Sequence, residues 1–309
     1  MMKKVFGLLL PILLGFSAAS AKDRAPREIT LSGDYTVSGN VVQDEGQLFP
    51  MQLEVDGATP SRPVLNQDFA ERADVEISPI RGVVLVGPVK LQANTKILKY
   101  RIAGSEKRRR ALWADRIYAP DSDGGIGPLG LPQEIIHLQW REEKPGEQLC
   151  TMQLETKREA VAELRIDGKA INVTFTHKRG QTLSSAAAGA VIAEQYDGEF
   201  TGERTEVEIA FGIERPIRKI ALRQPLSFCD VTLDSFYVRT SDFGDASDIV
   251  DGDLRRANAD SSEIIVIGKQ GTKDKNRYFL TVGQDDLQHC SSVTYDQRRK
   301  EIRLSCLAE

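Results

Sequence analysis

One order of features occurs twice along this 309-residue chain, and that recurrence restricts its fold more than any single motif. In the first half, Ile126-Gly127-Pro128-Leu129-Gly130-Leu131 leads into a β-prone stretch at 134–140. A turn at Lys144-Pro145-Gly146 and a second stretch at 148–155 follow. In the second half, Val282-Gly283-Gln284-Asp285-Asp286-Leu287 leads into 290–295, a turn at 296–300, and 301–306. Both segments read apolar-Gly-x-x-x-Leu followed by a hairpin. Earlier in each half a hairpin leads to a Leu and a short helical segment, beginning Leu65-Asn66-Gln67-Asp68 and Leu183-Ser184-Ser185-Ala186. Self-similarity of this kind points to two copies of one structural unit.

The units are β-rich. Short stretches of β-branched and apolar residues at 35–42, 82–91, 96–102, 161–166, 171–176, 206–211, 217–222, 227–233 and 262–267 are bounded by Gly, Pro, Asp and Asn. Such spacing predicts an all-β sandwich or barrel. One clear helix is expected over 184–196, where Ser184-Ser185 offer cap chemistry ahead of Ala186-Ala187-Ala188. A shorter helical turn is expected over 66–73. Asp167-Gly168 reads as a hairpin turn, and the same reading is open for Asp56-Gly57.

Compartment and charge narrow the function classes. Lys3-Lys4, an apolar run over 5–16 and the small residues Ala19-Ser20-Ala21 read as a secretory signal peptide, residues 1–21. The expected location is the periplasm or the exterior of a bacterium, with no stable membrane insertion after cleavage. A formal net charge of −4 argues against dedicated nucleic-acid binding, which needs a basic face to displace counterions. Cys150, Cys229, Cys290 and Cys306 suit two disulfides in an oxidising compartment. Cys290 and Cys306 flank one predicted hairpin, which sets them opposite each other and leaves Cys150 with Cys229; four free buried thiols are the alternative. No Cys-x-x-Cys occurs and His137, His177 and His289 are scattered, so neither a metal nor a cofactor is expected. The acidic loop at 240–262, with Asp242, Asp245, Asp248, Asp251, Asp253 and Asp260, lacks EF-hand spacing and reads as a solvated surface loop. The basic run Lys107–Arg110 reads as a solvated hairpin tip.

Two β-rich units, each with a strand, a turn, a short helix and a late apolar-Gly-x-x-x-Leu segment, resemble the pepsin/retropepsin class of aspartic proteases. The resemblance covers nearly all of the chain after residue 21. It implies an all-β, two-lobed fold with one short helix in each lobe, an N-terminal lobe over 22–155 and a C-terminal lobe over 156–309. In that family each lobe offers an Asp-Thr/Ser-Gly-Ala loop, and the two carboxylates share one proton to activate water. Here Val55-Asp56-Gly57-Ala58-Thr59 stands close to that loop without its middle Thr. The corresponding window, Val173-Thr174-Phe175-Thr176-His177-Lys178-Arg179-Gly180, holds no Asp. The resemblance therefore implies a degenerate member that binds an extended polypeptide segment or envelope protein between its lobes. An active hydrolase centred on Asp56, with Thr176 and His177 approaching it, is the enzymatic alternative. An envelope-associated structural β-domain protein is the third reading.

Overall fold

A computed structural model of the chain describes residues 27–43, 46–155, 159–252 and 277–307. The signal-peptide reading, the expected strand at 262–267 and the acids Asp253 and Asp260 lie outside the described residues. The first half contains β1 (Glu28–Ser32), β2 (Thr36–Val42), β3 (Leu48–Val55), β4 (Val64–Leu65), α1 (Gln67–Arg72), β5 (Gly82–Val86), β6 (Val89–Ile102), β7 (Ser105–Trp113), β8 (Gly124–Ile126), β9 (Ile135–Gln139) and β10 (Glu147–Gln153). The second contains β11 (Ala162–Ile166), β12 (Lys169–Phe175), β13 (Leu183–Ser185), α2 (Ala186–Tyr196), β14 (Gly198–Ala210), β15 (Ile213–Phe228), β16 (Val231–Arg239), β17 (Val250–Asp251), β18 (Phe279–Val282), β19 (Cys290–Asp296) and β20 (Glu301–Leu307). The protein is mostly β, as the alternation and turn chemistry require.

Each half builds a barrel-like sheet of its own. In the first the order is β2-β3-β8-β4-β7-β6-β5, and β2 also pairs with β6. In the second it is β11-β12-β18-β13-β16-β15-β14-β17. The two sheets share a local pattern. β3 runs parallel to β8, which is antiparallel to β4, itself parallel to β7. β12 runs parallel to β18, which is antiparallel to β13, itself parallel to β16. A short helix follows β4 and β13 alike. A 3-10 turn, Pro128–Gly130 or Gln284–Leu287, follows β8 and β18. In α2 the Ser185 side chain accepts from Ala188 N, the cap that the Ser-Ser pair promises.

A third sheet joins the halves in the order β1-β9-β19-β20-β10. Here the structure departs from the sequence reading. β9 and β10 do not pair as a hairpin. They flank the β19–β20 hairpin of the second half, with Leu138 opposite Val293 and Cys150 opposite Leu304. Local turn chemistry at Lys144-Pro145-Gly146 brings the chain round, but the long-range ladder takes the hydrogen bonds. Cys290 and Cys306 are cross-strand neighbours and are bonded to each other. Cys150 is bonded to Cys229 and ties β10 to the turn between β15 and β16. One contiguous core runs through all three sheets, with Tyr100, Tyr295, Phe69, Phe175 and Phe236 among its enclosed side chains.

Other readings shift at turns. The stretch 82–91 is two strands broken at Gly87-Pro88, and 227–233 is broken at Cys229-Asp230, where both residues have positive φ. Asp167-Gly168 is the turn expected of it, again with positive φ at both positions. The basic run Lys107–Arg110 lies within β7, not at a hairpin tip. Strand alternation turns Lys107 partly inward, where it donates to Leu129 O and Leu131 O. Burial, with Arg109 and Arg27 nearby, pulls that amine down to about 8. Asp242 of the acidic loop is fully enclosed and paired with Arg215 and Arg239, so it is not a solvated loop residue.

Glu147 pins the joining sheet. Its enclosed carboxylate accepts from Ser291 and Ser305 and pairs with Arg141. Burial works against its charge. The Ser291, Lys144 N, Ser305 and Arg141 donors outweigh burial and hold the carboxyl at about 2. A depressed folded value means stability is fully present above the ordinary value of 4.5 and lost as pH falls toward 2. Glu147→Gln is expected to cost about 2 kcal/mol at pH 7 and to flatten stability across that acid window, read by urea melts at pH 7, 4 and 2.5.

Candidate functional site

Asp56 follows β3 and Thr176 follows β12, so the shared strand pattern brings their two loops into opposition. Asp56 N donates to Ile126 O and Thr176 N donates to Val282 O, which fixes both loops to the ends of β8 and β18. Each following loop then turns on its own side chain. Asp56 Oδ1 accepts from Ala58 N at 2.8 Å, and Thr176 Oγ1 accepts from Lys178 N at 3.1 Å. The two residues hold equivalent places, one with a carboxylate and one with a hydroxyl. Gly127 and Gly283 brace them from below. A Cβ at either would lie 2.1 Å from a loop carbonyl, Thr59 O or Gly180 O.

Across the junction Thr176 Oγ1 donates to Asp56 Oδ2 at 2.8 Å, and His177 N donates to the same oxygen at 3.1 Å. Asp56 is only 1% exposed, yet every partner is a donor, as carboxylate oxygens require. Because Thr176 Oγ1 already accepts from Lys178 N, its own proton is directed at Asp56. The His177 ring leans on the Tyr35 ring, centroids 4.0 Å apart. Its Nδ1 lies 3.3 Å from Asp56 Oδ2 and its Nε2 lies 3.8 Å from Glu54 Oε1. Lys178 Nζ pairs with Glu54 Oε2 at 2.7 Å. Burial works against the Glu54 charge, but His177 and Lys178 hold that carboxyl below its usual range. Burial also opposes the Lys178 charge, and Tyr118 and Glu54 hold its amine above the usual range.

The structure thus brings Asp56, Thr176 and His177 together, all within hydrogen-bond or ion-pair reach. Asp56-Gly57 is not a hairpin turn. The loop runs on to β4, and the carboxylate points into the junction. Sequence reasoning missed Glu54, Tyr118 and Tyr295. Glu54 was legible in principle, since on a strand it shares a face with Asp56. Tyr118 and Tyr295 come from distant segments and carry no local signal.

Gly57 sits where the two loops approach most closely. A Cβ there would sit 2.2 Å from the Tyr295 hydroxyl and 2.3 Å from Phe175 O. Tyr295 is fully enclosed, and its hydroxyl has no hydrogen-bond partner. Burial, then the nearby Asp56, pushes its phenol upward.

The junction is enclosed, with Asp56 and Thr176 each 1% exposed. The β5–β6 hairpin lays Val86 and Ala93 against Phe211 and Ile213 at the β14–β15 turn, in a small cluster separate from the main core. Its tip, Gly87, packs directly on the Asp242 carboxylate. Tyr118 links this cluster to the loops. Its ring lies 5.0 Å from that of Phe211, and its hydroxyl lies 3.0 Å from Thr59 Oγ1. Concavities of about 550 and 690 Å³ lie elsewhere, beside Arg218 and beside α1, and neither is lined by Asp56, Thr176 or His177.

The described residues bring no carboxylate opposite Asp56, so a proton shared between two facing acids has no second member. His289 lies beside Cys290 and Cys306, but both sulfurs are in a disulfide and the ring Nε2 contacts Asp230 O. That cluster does not make a metal site. No family model matches the chain, and no curated protein matches it.

Two outcomes test this geometry. Tyr295→Phe removes a partnerless buried hydroxyl and is expected to be neutral or stabilising by up to about 1 kcal/mol, whereas Gly57→Ala is expected to cost about 3 kcal/mol by overpacking, both read by thermal or urea melts. Thr176→Asp places two carboxyls within hydrogen-bond distance, which raises the affinity of the pair for a proton. A raised folded value makes stability fall as pH rises, so this variant is expected to become more stable from pH 7 to pH 5, relative to the parent.

Proposed function

We propose that the protein is an exported, aspartic-protease-like protein of two lobes that has lost proteolysis and binds an extended polypeptide between them. The observation that carries this reading is the hydroxyl of Thr176 in the place opposite Asp56. A threonine hydroxyl does not exchange a proton with Asp56 near neutral pH, so the acid and base roles of a carboxylate pair have no second holder. What remains is a junction rich in strand ends, which suits recognition through main-chain hydrogen bonds. Binding requires the β5–β6 hairpin to lift from Phe211 and Ile213. The two disulfides support the exported part of the reading.

A second reading is favoured by one contact, His177 Nδ1 at 3.3 Å from Asp56 Oδ2. Neither ring nitrogen of His177 makes a hydrogen bond, so the pair is in ion-pair reach only; an atypical hydrolase would need that contact to tighten until Asp56 orients the imidazole as a general base.

One experiment separates the readings. A photo-crosslinkable library of extended peptides is incubated with the purified protein at pH 4 and pH 7, and products are mapped by mass spectrometry. Crosslinks to the 56–60 and 176–180 loops without cleavage are expected. Cleavage that disappears in Asp56→Asn would establish the hydrolase instead. Absence of both crosslinks and cleavage would sink the two readings together.

A further inference from the structure

Strand β5 packs Val86 into the small apolar cluster and leaves an open edge on the other side. It stands at the end of its sheet, and among the described residues it pairs with β6 alone. Its sequence is Gly82-Val83-Val84-Leu85-Val86, with no charge and no proline to blunt the edge. Four large apolar side chains are exposed between residues 77 and 85: Ile77 at 52%, Ile80 at 60%, Val83 at 56% and Leu85 at 42%. The edge extends beyond the strand, because Ser78 N donates to Thr95 O and Ile80 O accepts from Thr95 Oγ1.

The register settles what this edge offers. A two-residue connection at Gly87-Pro88 makes Val86–Val89, Val84–Leu91 and Gly82–Ala93 the hydrogen-bonded pairs. The N–H and C=O groups of Val83 and Leu85 therefore point away from β6, toward the open edge. Their side chains share a face with Arg81 by alternation, and with Lys90, which stands opposite Leu85. Both cations are exposed, and neither has an ion-pair partner among the described residues. Arg81 stands at one end of this face, where it donates to Asn94 Oδ1, and Lys90 stands beside Leu85 on β6.

We infer that β5 is a docking edge for an extended polypeptide strand carrying alternate apolar residues flanked by acidic ones. The strand adds antiparallel to Val83 and Leu85 through main-chain hydrogen bonds, its apolar side chains cover theirs, and its acidic residues meet Arg81 and Lys90. Charge decides the occupant. A second copy of the chain would bring its own Arg81 and Lys90 to the shared edge, and neither β5 nor its paired residues 89–93 carry an acid to meet them. This site is separate from the junction at Asp56, so the inference goes beyond the proposed function.

The test uses the full-length protein and a fluorescent probe peptide, Glu-x-Val-x-Val-x-Glu with threonine at x. Binding read by anisotropy is expected to weaken at least about tenfold in Leu85→Lys, as a buried apolar contact is lost. It is also expected to weaken on raising the salt, or on replacing both probe glutamates by lysine. Leu85 is surface-exposed, so Leu85→Lys is expected to fold as the parent does. The inference is overturned if the probe does not bind at 1 mM (about the weakest useful affinity), if Leu85→Lys binds equally well, or if sedimentation shows a dimer of the chain that Leu85→Lys abolishes. Loop crosslinking in Leu85→Lys is read in parallel. Retention there with loss of probe binding at the edge separates this site from the cleft.

Discussion

The buried carboxylate of Asp56 is the constraint around which the junction is organised. An enclosed acid is costly unless its oxygens are met by donors. Asp56 meets only one of these donors within its own loop, at Ala58 N. The others, Thr176 Oγ1 and His177 N, come from the opposite half. Separating the halves would strip that carboxylate of two of these three donors. The charge is thus a condition of assembly as well as a chemical group. Gly57 belongs to the same constraint, since only a residue without Cβ lets the two loops approach this closely.

The joining sheet supplies the rigidity that this contact needs. By flanking the β19–β20 hairpin, β9 and β10 make the first half a structural neighbour of the last residues of the second. Glu147 and the Cys150–Cys229 bond secure that arrangement from the side. The placement is topological, and it holds the ends of β3 and β12 face to face. The β5–β6 hairpin is different in kind. It rests on a small apolar cluster separate from the main core, with Gly87 set against the Asp242 carboxylate.

Much of the local structure was legible in the sequence. Strand positions followed from alternation and turn residues. The α2 cap followed from Ser184-Ser185, and the cysteine pairing followed from the hairpin around Arg298. Thr176 and His177 could be set opposite Asp56 by matching the two halves. Three things were not legible. The pairing of β9 with β19 is a contact between residues some 150 positions apart, and no local propensity encodes it. The breaks at Gly87-Pro88 and Cys229-Asp230 sit inside apolar runs, where the β-prone flanks mask the turn. Asp242 looked like one acid of a polar run, and only the fold reveals that Arg215 and Arg239 enclose it. Tyr295 is of the same kind, a strand residue whose hydroxyl matters because of a glycine far away in sequence.

The central claim is that Asp56 and Thr176 interact directly across the junction. A double-mutant cycle of Asp56→Asn and Thr176→Val, measured by urea unfolding at pH 7, tests it most directly. A charge-assisted hydrogen bond between enclosed groups predicts a coupling energy of about 1.5 kcal/mol or more. Additivity within about 0.3 kcal/mol would mean that the two side chains do not meet, and would contradict the account.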